Sequence, residues 1–309
     1  MASSKSIKNR IRSTKSIKQI TKAMEAVSAV KMRKSEQVAL RARPYALAAI
    51  EMLRGLSAKL DNDFYSLSPL LSAPADMPTC LVVVTSDKGL AGSFNTNVLR
   101  KALAFTKEHA GTEVIAVGKK GRDFLKRRGV KIVESFIGAG DFADLSETAP
   151  VADLIKKGFA DKRWSAVHLL YTNFLSALKQ EVVNRKVLPF DFESLNTIVS
   201  GITPTRGKYA NMPEVLGKET DSESAYVFEP SPKEVLGELL PALLDIEIYH
   251  AVLEGNASEH SSRMIAMRNA SDNAGELIDE LTLQYNKARQ AQITKELSEI
   301  TAGAAALQD

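Results

Sequence analysis

The stretch most like a catalytic loop is Ser86-Asp87-Lys88-Gly89-Leu90-Ala91-Gly92-Ser93-Phe94-Asn95, directly after an apolar run at 81–85. A strand, a glycine-containing turn and then a helix is where doubly wound folds bind phosphate, because the free amides at a helix start attract anions. The loop matches neither G-x-G-x-x-G nor G-x-x-x-x-G-K-[ST], and no acidic residue closes the second strand to hold a ribose. A turn making a specific protein contact is the better reading. Gly118-Lys119-Lys120-Gly121 has the same look with less support. His109, His168, His250 and His260 share no metal-ligand spacing, and the single cysteine, Cys80, adds nothing to them. There is no G-x-S-x-G elbow for a serine nucleophile. These residues point to no catalytic site, no metal and no cofactor.

The elements around the loop are those of an α/β domain. Short β-branched or apolar runs at 81–85, 113–117, 131–136 and 166–171 alternate with helical stretches at 95–109, 119–128 and 148–159. That alternation predicts βαβ units and a mostly parallel sheet covered on both faces. Residues 181–190, and less clearly 225–228, are further strand candidates, and the polar segment 193–223 reads as loop. Cys80 opens an apolar run and is expected to be a packing residue, and Trp164, just before a strand, core or edge packing. One cysteine allows no disulfide within the chain, which suits a reducing compartment.

The ends differ in kind from this middle. From Ser3 to Arg43 there is no glycine or proline, and from Ala242 to Ala302 only Gly255 and Gly275 interrupt. Runs longer than about 25 residues without caps argue for a coiled coil or a membrane span, and no stretch approaches the ~20 apolar residues a span needs. In the first arm Ile7, Ile11, Ile17, Ile20, Met24, Val27 and Val30 predict a narrow apolar stripe, with Pro44 expected to kink or end the helix. In the second, which begins near Pro232, a 3-4-3-4 spacing from Met264 through Met267, Ser271, Ala274, Ile278, Leu281, Tyr285 and Ala288 predicts a heptad seam of mixed, partly small residues. Roughly 60 helical residues span about 90 Å, more than the central domain is wide. The chain therefore divides into a helix at 1–60, a linker at 61–78, an α/β domain at 79–230 and a second helix at 231–309. The basic, Ser-containing start has the composition of a transit peptide, but its pattern runs unbroken into Ile17 and Ile20 and is read as mature helix.

Charge is uneven. Residues 5–43 carry twelve Lys or Arg against Glu25 and Glu36, about +10 in a chain whose total is only +4. Such a block calls for an acidic partner. Nucleic acid is one candidate, but Lys5, Lys8, Arg10, Arg12, Lys15, Lys18 and Lys22 step around most of the helix and do not gather on a groove-binding face. A dinucleotide-fold enzyme with helical arms is disfavoured by the missing phosphate motif. The far end, Gly303-Ala304-Ala305-Ala306-Leu307, is smooth and apolar where chain ends are usually polar, which suggests a tip enclosed by other chains, with a fraying Ala-rich tail as the alternative.

Four motifs in order along the chain resemble the γ subunit family of F-type ATP synthases. They are Lys18-Gln-Ile-Thr-Lys-Ala-Met24, Ser86-Asp-Lys-Gly-Leu-x-Gly92, Tyr285-Asn-Lys-Ala-Arg-Gln290, and Ile293-Thr-x-Glu-x-x-Glu running on to Gly303-Ala-x-Ala306. The resemblance implies an antiparallel coiled coil of the terminal helices beside a Rossmann-like α/β domain. It implies a non-catalytic rotor shaft turning inside a ring of three α and three β subunits, with its foot on the membrane c-ring and the ε subunit. No cofactor, nucleic acid or transmembrane segment of its own is implied. Carried over by position, Met24, Lys88, Ala91, Arg289 and Gln290 would contact the β subunit. Arg263, Thr294 and Glu296 would support packing and coupling within the shaft, and Tyr226 and Glu229 would meet the ring. Ala91 stands where many members carry Cys, and no cysteine-containing insertion of the redox-regulated type is present. The implied location is peripheral on the inner side of an energy-transducing membrane, the cytoplasmic face of a bacterial plasma membrane, with the mitochondrial matrix side as the alternative.

Overall fold

A computed structural model describes residues 4–60, 67–72, 74, 76–190 and 229–306. The chain forms two compact units, one of residues 1–28 with 263–309 and one of residues 29–262, so each long helix contributes to both.

In the larger unit, β1 (Thr79–Val84), β2 (Glu113–Val117), β3 (Ile132–Phe136), β4 (Ala166–Phe174) and β5 (Gln180–Leu188) form one sheet in the order β3-β2-β1-β4-β5. The first four pair in parallel and β5 is an antiparallel edge. Alternation along β1 divides the core. Leu81 and Val83 face Val98, Leu99 and Phe105 of α2 (Phe94–Glu108) and Leu125 of α3 (Lys119–Arg127). Cys80, Val82 and Val84 face Ile155 and Phe159 of α4 (Leu145–Ala160) and Leu244, Ile248 and Val252 of α5 (Pro232–Ala306). Cys80 is a fully buried packing residue whose thiol burial pushes well above its usual range. Trp164 is equally buried, and Gly158 has no side chain because a Cβ there would lie 2.3 Å from the indole. The indole nitrogen donates to Glu113 at 2.8 Å, as does Arg163, with Lys131 the third partner. Burial alone would raise that carboxyl; the three donors hold it at about 2.

Two features depart from the sequence reading. α1 (Ser4–Leu60) continues through Pro44, so the arm does not end there. One proline costs about 3 kcal/mol in a helix interior, and strong helix formers flank it on both sides (Leu40 to Arg43, Ala46 to Ala49). The segment read as linker is not all loose: Leu70 and Leu71 are buried in the core, and the Phe190 amide donates to the Leu70 carbonyl. The strand candidate at 225–228, the loop at 193–223 and Tyr226 lie outside the described residues.

The face of α5 on the sheet is not wholly apolar. Glu247, His250 and Glu254 are buried there close to Tyr171 and Arg185, the Arg185 guanidinium lying 5.4 Å from the Tyr171 ring centre. His250 Nδ1 is 3.5 Å from a Glu254 oxygen. Neither carboxyl oxygen of Glu247 has a hydrogen-bond partner. Burial raises this acid to about 8, against the opposing pull of Arg185. The folded chain therefore keeps the proton up to about pH 8, while the unfolded chain releases it near 4.5. Stability from this group is full below the unfolded value and is lost as pH rises through the folded one. Glu247→Gln, which stays neutral, is expected to remove that alkaline loss. The variant should exceed the wild type by on the order of 5 kcal/mol at about pH 9 and match it at about pH 4. Thermal unfolding across that range checks the difference.

Candidate functional site

The loop after β1 is held by its own side chains. Thr85 Oγ1 donates to the Val117 carbonyl at 3.0 Å and accepts from the Gly121 amide at 2.9 Å. A Cβ on Gly118, whose φ is +98°, would lie 2.1 Å from the Thr85 carbonyl oxygen, and one on Gly121 would lie 2.6 Å from Thr85 Oγ1. The glycines of Gly118-Lys119-Lys120-Gly121 thus exist to let β1 and α3 touch. The Asp87 carboxylate accepts from the Lys119 amide and the Gly138 amide, each at 2.7 Å. Lys119 begins α3, so the positive end of that helix already meets an anion supplied by the chain. A phosphate at the start of α3 would have to displace that carboxylate.

The tip is pushed outward. The Ser86 amide donates to Asn95 Oδ1 at 3.0 Å and Ser86 Oγ to the Lys88 carbonyl at 2.7 Å. Between these anchors Leu90 adopts φ +62°, rare for a branched side chain, and is 63 % exposed. Lys88 is exposed beside it, while Ala91 is turned inward and 2 % exposed. A strained, exposed leucine next to a lysine suits contact with another protein surface.

The rest of the crevice at the C-terminal ends of the strands is gripped by helix. After β3, Asp141 pairs with Lys31, its carbonyl accepts from Ser35 at 3.2 Å, and His260 Nε2 stands 3.5 Å away. Burial raises the Asp141 carboxyl less than Lys31 and His260 lower it. Asn256 donates to the Gly140 carbonyl at 3.1 Å. After β4, Ser258 donates to the Thr172 carbonyl at 3.1 Å, and Ser261 donates to the Ala177 carbonyl. The loops that hold substrates in doubly wound enzymes here clamp α1 and α5.

In the smaller unit the two helices pair antiparallel. Glu25 accepts from Arg268 Nε at 2.9 Å, and a Cβ on Gly275 would lie 2.9 Å from Lys18 Nζ, so seven residues back on one helix match seven forward on the other. Hydrogen bonds from Lys22 and then Arg268 hold the Glu25 carboxyl below its usual range. On α5 the seam is the expected one, with Met264, Met267, Ser271, Ala274 and Leu281 buried and Ile278, Tyr285 and Ala288 half-buried. On α1 it is not. Ile7, Thr14, Thr21, Glu25 and Ser28 are buried, whereas Ile17, Ile20 and Val27 are 51 %, 59 % and 54 % exposed. Small hydroxyl side chains let the backbones approach closely, and the row of larger residues is left facing outward. The missed signal was a polar heptad, Thr14, Thr21, Ser28 and Ser35 at steps of seven.

The same register places Ser4, where α1 starts, level with Arg289. The remaining turns of α5, to Ala306, then run past the described start of α1, and residues 289–302 are all exposed. Arg289 and Gln290 open this stretch. Thr294 Oγ1 donates to the Gln290 carbonyl and Glu296 accepts from Gln292, each at 3.0 Å, both within the helix. Arg263 is buried, Met24 half-buried, and Glu229 exposed just ahead of α5. Among the described residues no helix is long and apolar enough to cross a membrane, and no group of three or more His, Cys, Asp or Glu could hold a metal ion.

A family model described as ATP synthase matches residues 3–307. The ATP synthase gamma chain of Roseiflexus castenholzii is 41 % identical over 316 residues, covering 99 % of each chain. That of Pelotomaculum thermopropionicum is 40 % identical over 309 residues and the full length of both. The chain belongs to the ATP synthase gamma chain family. Among solved structures it is similar to a chain of the Euglena gracilis mitochondrial ATP synthase OSCP/F1/c-ring assembly, with TM-score 0.62, 20 % identity and coverage of 97 % and 93 %. It is also similar to a chain of the Tetrahymena thermophila central stalk and c-ring, with TM-score 0.56, 24 % identity and coverage of 82 % and 99 %. At these identities the likeness is one of fold.

Proposed function

We infer that this chain is the central-stalk rotor subunit of an F1Fo ATP synthase. It turns inside the α3β3 ring and couples ion flow through the membrane ring to ATP synthesis in the β subunits, without catalysing a step itself. The observation that carries this reading is the outward apolar row Ile17, Ile20 and Val27, together with Ile293, Leu297 and Ile300 on the unpaired end of α5. A single helix with an apolar row is marginal in water, so it needs a sleeve of other chains. Different faces of the shaft then meet different β subunits, and each face stabilises one β conformation over the others.

Within this reading the β-subunit contacts are Met24, Lys88 with the loop that Ala91 seats, and Arg289 and Gln290. Arg263, Thr294 and Glu296 maintain the shaft, and Tyr226 and Glu229 belong to the foot on the c-ring and ε subunit. The units assigned are the helices at 1–60 and 231–309, the linker at 61–78 and the α/β domain at 79–230. The subunit is peripheral, and its bacterial relatives favour the cytoplasmic face of a plasma membrane over the mitochondrial matrix side.

Met24→Lys tests the assigned contact. It adds a cation where an acidic β-subunit loop is expected to press, so the β subunit is held too tightly in one state. Ion pumping per ATP hydrolysed in reconstituted vesicles should fall severalfold while hydrolysis continues. An unchanged ratio would remove Met24 from the contact.

A further inference from the structure

A groove of about 310 Å³ runs between the first two turns of α2 and the β4–β5 hairpin. Thr172 lines it, and alternation along β4 puts its side chain on the same face as Leu170, toward α2. Thr172 is 4 % exposed and its hydroxyl has no hydrogen-bond partner. Leaving such a group unsatisfied costs about 1–3 kcal/mol, which calls for something in the groove to bond it.

The hydroxyl and charged groups that α2 brings to the groove are donors. Ser93, the residue before α2, makes no side-chain bond to the helix amides, and the first turn holds no acid. Its oxygen accepts from Asn97 Nδ2 at 3.3 Å, leaving the hydroxyl proton to donate. The positive end of α2 is therefore uncompensated, whereas α3 meets Asp87, α4 is capped by Asp144 and α5 has Ser231 paired with Glu234. Of the two cations, Lys101 donates to the Val182 carbonyl, and Arg100, exposed one turn beyond Asn97, is left to face a ligand. The one carboxylate, Glu181, sits opposite Asn173 in the sheet, a position that alternates to the other face from Thr172.

We propose that this groove binds a small oxyanion, phosphate or the phosphate end of a nucleotide, between the Thr172 and Ser93 hydroxyls and the Arg100 guanidinium. An acceptor-only ligand is the complement of that donor set. The site shares no residue with the proposed β-subunit contacts and stands independently of the rotor reading.

The test uses the full-length chain at constant ionic strength. Inorganic phosphate should raise the unfolding temperature and bind measurably by calorimetry. Arg100→Ala and the near-isosteric Thr172→Val should each weaken binding about tenfold or more, and Thr172→Val should not destabilise the phosphate-free chain. Adenosine monophosphate binding more tightly than phosphate, with adenosine silent, would identify a nucleotide source; equal binding would identify free phosphate. No phosphate-dependent shift at millimolar concentration overturns the proposal. So does undiminished binding in both variants, which would leave Thr172 bonded to water alone.

Discussion

Ending the chain at Arg289 is expected to leave the α/β unit folded and to remove most of the torque. Residues 290–302 are all exposed, so their loss subtracts no core. The midpoint of thermal unfolding should move by less than roughly 2 °C. The consequence lies in the assembled complex, where the outward row of Ile293, Leu297 and Ile300 would no longer sit in its sleeve. Hydrolysis should continue while ion pumping per ATP falls severalfold, read in vesicles containing the assembled enzyme. A truncated chain that fails to fold would show instead that this segment is structural.

Gly118→Val is the second large effect and acts on folding. The side chain would be driven into the Thr85 carbonyl, where even a Cβ comes within 2.1 Å, at a φ of +98° that branched residues do not adopt. Backbone, not a flexible side-chain end, blocks it, so β1 and β2 would have to separate at their C-terminal ends. That also breaks the Thr85 bonds to Val117 and Gly121. The expected cost is more than about 4 kcal/mol, seen as insoluble chain or failure to assemble. Gly129→Ala is the control: its φ is +73° but nothing lies within 4 Å. Strain alone should cost it about 1–2 kcal/mol, and the chain should still assemble.

The contrast between the two arms shows what sequence could reveal. The α5 seam was legible because Met264, Met267, Ala274 and Leu281 are both apolar and buried, so periodicity and packing agree. On α1 the eye follows Ile17, Ile20 and Val27, but periodicity finds a face without saying what covers it. The true seam is made of hydroxyls and Glu25, whose partner Arg268 lies 243 positions away. The β strands were readable from their β-branched runs. Asp87 as the anion at the start of α3 was not, because its partners Lys119 and Gly138 lie 32 and 51 positions along the chain, at the start of α3 and after β3. The loop that looks most like a phosphate loop thus spends its acid on the start of α3, while α2, the helix it opens, has no acid in its first turn. Pro44 misled in the other direction, since a local breaker was outweighed by the helix formers on both sides of it.

The account rests on this chain turning within a ring of other subunits. The direct measurement attaches a bead to a cysteine replacing exposed Lys107 in the α/β domain, in a complex assembled from this chain with α and β subunits fixed to glass. Stepwise, one-directional rotation of the bead that depends on ATP is the predicted result. ATP hydrolysis by the same complexes with the bead only fluctuating about a fixed angle would contradict it.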